Sequence, residues 1–278
     1  MTATLNAGTD DQRTTVNRKL VGLDVDGTLV DHYGHMSPAI RDAGAAIVEA
    51  GHEVVVATGR SLGATLPIVE LLGIERGYAV CSNGGVTVQI HAGSNGGYTV
   101  IDRRSFDPAP ALRALRRRLP NAKYALESID GAFLSTERFQ DASFGVEARG
   151  VSFDELLEAE AVRLVVFSTD STAEEFGQAV EAIGLHGVTY SVGWTAWLDI
   201  AAHGVTKASG LENVRELVGV PIEDTVTIGD GRNDIEMLEW AGRGVAMGQA
   251  PDEVKAAADE VTATVEEDGA AAILRSLL

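Results

Sequence analysis

The stretch "LDVDGTLV", Leu23–Val30, decides the fold. It closes "KLVGLDV", an apolar run with the length of a buried strand. Asp24 and Asp26 flank Val25 where apolar residues are expected. Two carboxylates at the end of a buried strand carry a desolvation cost. They make sense at the edge of a sheet where ligands bind.

The flanking sequence supplies that sheet. Ser37 and Pro38 mark a helix start, and the helix runs to Ala50 and stops at Gly51. "EVVVAT" (Glu53–Thr58) is a second strand, a helix spans about 61–72, and "YAVCS" (Tyr78–Ser82) is a third strand. Strand–helix–strand order at this spacing predicts parallel pairing. After Asn83–Gly85 the texture changes. "VTVQI" and "YTVIDRR" flank a Gly/Asn/Ser-rich stretch and read as a hairpin. Helices at 109–119, 153–158 and 173–183 and strands at 132–135, 162–168 and 188–192 follow. The first pattern resumes near Trp197: a helix at 207–218, the strand "TVTIGD" (Thr225–Asp230), the helix "DIEMLEWA", the strand "GVAMG" and a helix around 251–258. The fold class is therefore α/β: a doubly wound, Rossmann-like parallel-sheet core over 18–86 and 196–278, with a smaller α+β cap inserted at 87–195. Residues 1–17 read as a polar, mobile tail.

Ligands of an open parallel sheet bind outside the carboxyl ends of its strands. Asp24, Asp26, Thr58, Asp230 and Asp234 all fall at or just past such ends. Packed carboxylates repel, so some must take up protons or bind a cation. An oxygen-only set suits Mg²⁺ better than zinc, since no His or Cys lies in these motifs. Mg²⁺ in turn points to phosphate chemistry. Thr58 can donate to a phosphate oxygen, the backbone N–H groups after Gly59 begin a helix, and Lys207 at another helix start adds a positive charge. One carboxylate can attack phosphorus, and a second, two residues on, can protonate the leaving alcohol and then activate water.

The set resembles a known family. "DVDGTLV", "ATGR", "GVTK" and "GDGRND" are similar, in that order, to the four motifs of the haloacid dehalogenase superfamily of phosphotransferases. The tail "GVAMGQAPDEVKAAADEVTATVEEDG" resembles the end of its sugar-phosphatase-like branch, in which an α/β cap lies between the second and third motifs. The resemblance implies Asp24 as nucleophile and Asp26 as general acid/base. It implies Thr58, Gly59, Lys207 and Asn233 around the phosphoryl group, with Asp24, Asp26 (through its backbone carbonyl), Asp230 and Asp234 around Mg²⁺. It implies a Mg²⁺-dependent phosphatase of a small phosphorylated metabolite, sugar phosphates first. A phosphomutase would use the same aspartates, and a non-catalytic phosphometabolite-binding protein would keep only the crevice. Gly231–Arg232 and Gln249 depart from the branch's pattern, and neither is expected to touch the catalytic set.

Composition narrows the partners. Of 278 residues, 45% are hydrophobic, enough for two modules, and the formal charge is −19. That balance argues against nucleic acid and anionic membrane surfaces. Cys81 is the only cysteine, which excludes a disulfide framework and fits a reducing cytoplasm. No run approaches the roughly 18 apolar residues of a membrane span. The oligomeric state is not readable. Other features read as ordinary structure. Arg113, Arg116 and Arg117 form a solvated helix face, His32 and His35 lie in a loop, and Trp194 and Trp197 pack at the core or cap junction. Cys81 reads as buried and inert, Asn83 as a turn into the cap or, second, as a substrate contact beside the crevice, and Arg60 as equally suited to a local carboxylate or to the crevice.

Overall fold

A computed structural model describes residues 18–91, 97–137, 145, 147–193 and 195–278. The expected tail, the tip of the hairpin at 92–96 and Trp194 lie outside the described residues.

The chain begins with β1 (Leu20–Leu23), α1 (Pro38–Glu49), β2 (Glu53–Ala57), α2 (Leu62–Leu71) and β3 (Gly77–Cys81). Ser37 caps α1 as its sequence promised, with its hydroxyl accepting from the Ile40 N–H at 3.1 Å. The hairpin β4 (Val86–Ile90) and β5 (Tyr98–Arg103) follows. Next come α3 (Ala109–Arg118), β6 (Lys123–Ser128), β7 (Phe133–Ser135), β8 (Arg149–Gly150), α4 (Phe153–Leu157), β9 (Ala161–Phe167), α5 (Ala173–Ile183), β10 (Val188–Val192) and β11 (Trp197–Ala202). The chain ends with α6 (Lys207–Val218), β12 (Thr225–Gly229), α7 (Ile235–Trp240), β13 (Arg243–Ala246), α8 (Asp252–Ala256), β14 (Glu260–Val261) and α9 (Gly269–Arg275).

The core sheet has the order β14-β13-β12-β1-β2-β3-β4-β5. Its first six strands are parallel, and the β4–β5 hairpin adds antiparallel to β3. Both faces of the parallel strands are covered, which explains their unbroken apolar runs. Val21, Leu23, Val54 and Val56 pack with Ile47 of α1, Val69 of α2 and Leu274 of α9. The alternate residues Leu20, Val55 and Ala57 pack with Leu211 and Val214 of α6 and Met237 of α7. Strand order reverses about β1, whose neighbours are β2 on one side and β12 on the other. This is the topological switch point, where the crevice opens.

The second sheet has the order β10-β11-β9-β6-β7-β8. One face packs Leu126, Leu164, Val166 and Leu198 under Leu112 and Leu115 of α3 and Phe176 of α5. The other carries Ala125 and Val165, with Glu127, Arg163 and Asp199 in alternation.

Sheet membership differs from the expected cap span of 87–195 at both ends. Residues Val86–Ile90 pair with β3 in register from Cys81↔Val86 to Gly77↔Ile90, so the hairpin extends the core sheet. Trp197–Ala202, expected in the core, pairs with β9 and β10 in the cap sheet. The cause at the first boundary is the tight reversal at Ser82–Gly84, which returns the chain alongside β3 before it leaves for the cap.

Candidate active site

The loop after β1 turns one aspartate inward and the other outward. The Asp24 N–H donates to the Ile228 carbonyl at 3.0 Å, which prolongs the β1–β12 ladder by one residue. Val25, Leu29 and Val30 are buried and pin the loop. Gly27 has φ +80°, and a Cβ there would stand 2.1 Å from Asp230 Oδ2. Glycine is required both by conformation and by the carboxylate beside it. Asp24 is consequently buried, whereas the Asp26 carboxylate is 61% exposed.

Lys207 opens α6 and is 1% exposed. Thr206 caps this helix, its hydroxyl accepting from the Ser209 N–H at 3.2 Å. Lys207 Nζ donates to Asp24 Oδ1 at 2.5 Å and to Asp234 Oδ1 at 2.6 Å. The second oxygen of Asp234 accepts from the Asp230 and Gly231 N–H groups at 3.0 and 2.8 Å. Ligand atoms of Asp24, Asp230 and Asp234 lie within 4.8 Å of one another. Burial, then the Asp234 charge, raises the pKa of Asp24 well above the carboxylate range, against the opposing pull of Lys207. Burial and Asp234 push Asp230 up to about 7, opposed by its bond from Gln249. For Lys207 burial acts to lower the pKa, and the Asp234 and Asp24 carboxylates more than offset it, so the ammonium stays charged. One ammonium cannot balance three buried carboxylates, which must therefore take up protons or bind a further cation. That is the electrostatic signature of a cation site.

The other expected residues gather on the same lip. Thr58 is buried, and its hydroxyl accepts from the Arg60 N–H at 3.1 Å. At Gly59 a Cβ would stand 3.2 Å from the Asn83 amide oxygen, so the bare backbone lets Asn83 approach. Asn233 Nδ2 donates to Asn83 Oδ1 at 3.0 Å. Asp26 is not in the carboxylate cluster. Its two oxygens accept from Arg60 Nε at 2.9 Å and Nη2 at 2.5 Å, so Arg60 takes the local-carboxylate alternative.

One expectation is overturned. Gln249 does touch the set: its amide nitrogen donates to the Gly27 carbonyl at 2.6 Å and to Asp230 Oδ2 at 3.1 Å. Its oxygen accepts from the Val265 N–H at 3.1 Å, which fixes the amide's orientation. The expectation fails in part for the other departure too: the Gly231 N–H donates to Asp234 Oδ2 at 2.8 Å, while the Arg232 side chain pairs with Glu253 at 2.8 Å.

Above Lys207 lies a cavity of about 710 Å³ between core and cap. Asn83, Asn233 and Arg232 line it from the core, and Arg163, Asp199 and Tyr190 from the cap. Arg163 Nε donates to Asp199 Oδ1 at 2.6 Å, and Trp197 Nε1 donates to Asp199 Oδ2 at 2.8 Å. No motif marks these cap residues. Their only trace is a charge inside an otherwise apolar strand. The α3 arginines do not line the cavity, and Arg116 lies over the Tyr124 and Phe153 rings instead. Among the described residues no helix is long and apolar enough to cross a membrane.

The comparisons agree with this geometry. The family model of the haloacid dehalogenase-like hydrolases matches residues 21–274. Phosphatase YwpJ of Bacillus subtilis strain 168 is 27% identical over 300 residues, covering 94% of this chain and all of its own. Pyridoxal phosphate phosphatase YbhA of Escherichia coli K12 is 28% identical, covering 94% and 98%. The structure of the subclass IIB sugar phosphatase BT4131 superposes with a TM-score of 0.76 at 27% identity, over 94% of this chain and 100% of that one. BT1666 of Bacteroides thetaiotaomicron, described among the phosphatases of the same superfamily, gives 0.74 at 28%, over 95% and 97%. Four motifs converging at one switch point, under an inserted cap and with matches along nearly the whole chain, place it: the chain belongs to the haloacid dehalogenase-like hydrolases and is a phosphoric monoester hydrolase.

Proposed function

We propose that this phosphatase depends on Mg²⁺ and hydrolyses a small phosphorylated metabolite, a sugar phosphate first, through an aspartyl-phosphate on Asp24. The observation that carries the reading is the Lys207 ammonium, shared between Asp24 and Asp234 at the floor of the cavity. The donor set fits a hard cation: it consists of carboxylate oxygens only, within 4.8 Å of one another. Asp24, Asp230 and the Asp26 backbone carbonyl would hold it, with Asp234 in support. When bound, the cation neutralises charge on the phosphoryl oxygens.

The chain's own residues do the rest. An Asp24 oxygen attacks phosphorus, and a P–O bond to Asp24 forms as the ester P–O bond breaks. Lys207 holds Asp24 in place for that attack. Thr58, the Gly59 N–H, Lys207 and Asn233 donate to the phosphoryl oxygens. Asp26 gives its proton to the leaving oxygen and then takes one from the water that cleaves the aspartyl-phosphate. Asp26 must leave the Arg60 fork to reach the leaving group, so the arrangement described is a resting one. The cap covers the cavity and separates it from bulk water during transfer. The relatives named for sugar and pyridoxal phosphates support a small-metabolite substrate.

The test is phosphate release from a panel of phosphorylated metabolites, with Mg²⁺ and with EDTA. Release is expected to need the metal and to fall at least about 10³-fold in Asp24→Asn, with an unchanged circular dichroism spectrum. Retained turnover in a folded Asp24→Asn would overturn the nucleophile assignment, and release in EDTA would overturn the metal.

A further inference from the structure

Where β3 ends, Ser82, Asn83 and Gly84 adopt left-handed backbone in succession, with φ of 52°, 54° and 94°. Two of the three carry side chains, and such a run persists only where its surroundings hold it. The Ser82 N–H donates to the Arg60 carbonyl at 2.8 Å, and the Asn83 N–H to the Thr58 carbonyl at 3.0 Å. Gly84 lies against the Thr206 carbonyl, where a Cβ would come within 2.2 Å. The turn thus touches the segments that carry Thr58, Arg60 and Lys207, and its Asn83 amide meets Asn233.

A further tie comes from the cap. Ser82 Oγ donates to Glu127 Oε2 at 2.6 Å, with both residues buried. Glu127 lies within β6 and is 4% exposed. It stands opposite Arg163 in the β6–β9 register, and Arg163 bonds Asp199 in the cavity wall. A carboxylate buried in a strand is costly unless hydrogen-bonded. Here the bond that satisfies it crosses from cap to core.

We propose that Glu127 is a positioning residue for phosphoryl transfer: through Ser82 it holds the Ser82–Gly84 turn, and with it Thr58, Arg60 and Asn83, in place beneath the cap. The proposal rests on the phosphatase reading above. It links the cap strand pair that borders the leaving-group cavity to the loops that surround the phosphoryl group. Displacing those loops by a fraction of an ångström is enough to slow transfer without removing any group that touches substrate.

The experiment measures kcat and KM with p-nitrophenyl phosphate and with glucose 6-phosphate for wild type, Ser82→Ala, Glu127→Ala, Glu127→Gln and the double variant Ser82→Ala/Glu127→Ala. Thermal melts establish that each is folded at the assay temperature. Ser82→Ala and Glu127→Ala are each expected to lower kcat about ten- to a hundredfold. The double variant should be no slower than the slower single one, because both remove the same bond. Glu127→Gln keeps an acceptor oxygen and should recover most of the rate, which a purely structural role for the charge would not allow. Additive losses, a Glu127→Gln variant as slow as Glu127→Ala, or folded single variants with wild-type kcat would each overturn the proposal. If Glu127→Ala does not fold, Ser82→Ala, which deletes one hydroxyl on the core side, decides alone. Wild-type protein that releases phosphate from neither ester, nor from any member of the panel, would refute the phosphatase reading itself, separately from the ranking of variants.

Discussion

Lys207 stands between two carboxylates that would otherwise face each other across a dry crevice. All three groups have almost no exposure, so water screens none of them. Removing one partner of such a buried cluster leaves an uncompensated charge. Lys207→Met keeps the length of the side chain and deletes the ammonium. It is expected to cost about 3–5 kcal/mol of stability, measured by urea unfolding in EDTA, and to abolish phosphate release. A midpoint equal to wild type would mean that Asp24 and Asp234 do not depend on the ammonium. Gln249 works at the same scale by different means. It is neutral, yet it fixes the turn at Gly27 and one oxygen of Asp230 together.

At the scale of elements, helix starts carry the site. Thr206 is the N-cap of α6 and forms a capping box with Ser209, and Lys207 is the next residue. The cap satisfies N–H groups that would otherwise be unpartnered, and it fixes the direction in which the first turn projects the lysine. Thr206→Ala should lower stability by about 1 kcal/mol and reduce kcat while the helix content stays the same. Urea titration with a parallel activity assay checks both, and an unchanged midpoint would remove the cap from the account. The strands act differently. Parallel strands covered on both faces read as apolar runs, so β1, β2, β3 and β12 are plain in the sequence and their ends locate the site. In the cap, β6 (KYALES) carries a buried glutamate among other polar residues and has no apolar run, whereas β9 keeps its apolar run despite the buried Arg163. β6 therefore leaves no apolar run in the sequence, and β8 and β14, at two residues each, are too short to leave one.

For the whole molecule, pH is the simplest probe. His52 joins α1 to β2, and its Nδ1 accepts from the Lys19 N–H at 3.1 Å at the entrance to β1. That bond needs a neutral ring. Burial, reinforced by the Lys19 charge and opposed by the nearby Leu277 backbone, lowers its pKa below the ordinary histidine value of about 6.5. The sign follows from proton counts. Below about pH 6.5 the unfolded chain takes up a proton that the folded one refuses, so stability falls as pH falls, down to the folded-state pKa. His52→Asn retains an acceptor near Nδ1 and does not titrate, so its stability should decline less over that range. Parallel slopes for wild type and variant in urea titrations from neutral pH downward would show that His52 contributes nothing to acid sensitivity.

The sequence by itself determined the fold class, the cation-suited carboxylates and the residues of the crevice, because each rests on local pattern: apolar runs, and polar groups at their ends. Asp24, Thr58, Lys207, Asp230, Asn233 and Asp234 are found together because parallel strands all deliver their carboxyl ends to one edge. Only the tertiary structure decided what depends on long-range pairing. It assigned the β4–β5 hairpin to the core sheet and β11 to the cap sheet, turned Asp26 outward to Arg60, and brought Gln249 across to Asp230. It also placed Glu127, Arg163 and Asp199 on one face of the cap sheet, the first two buried. Those contacts join residues tens to hundreds of positions apart. Their geometry depends on which sheet edge a strand meets and which face it presents, and no local pattern encodes either.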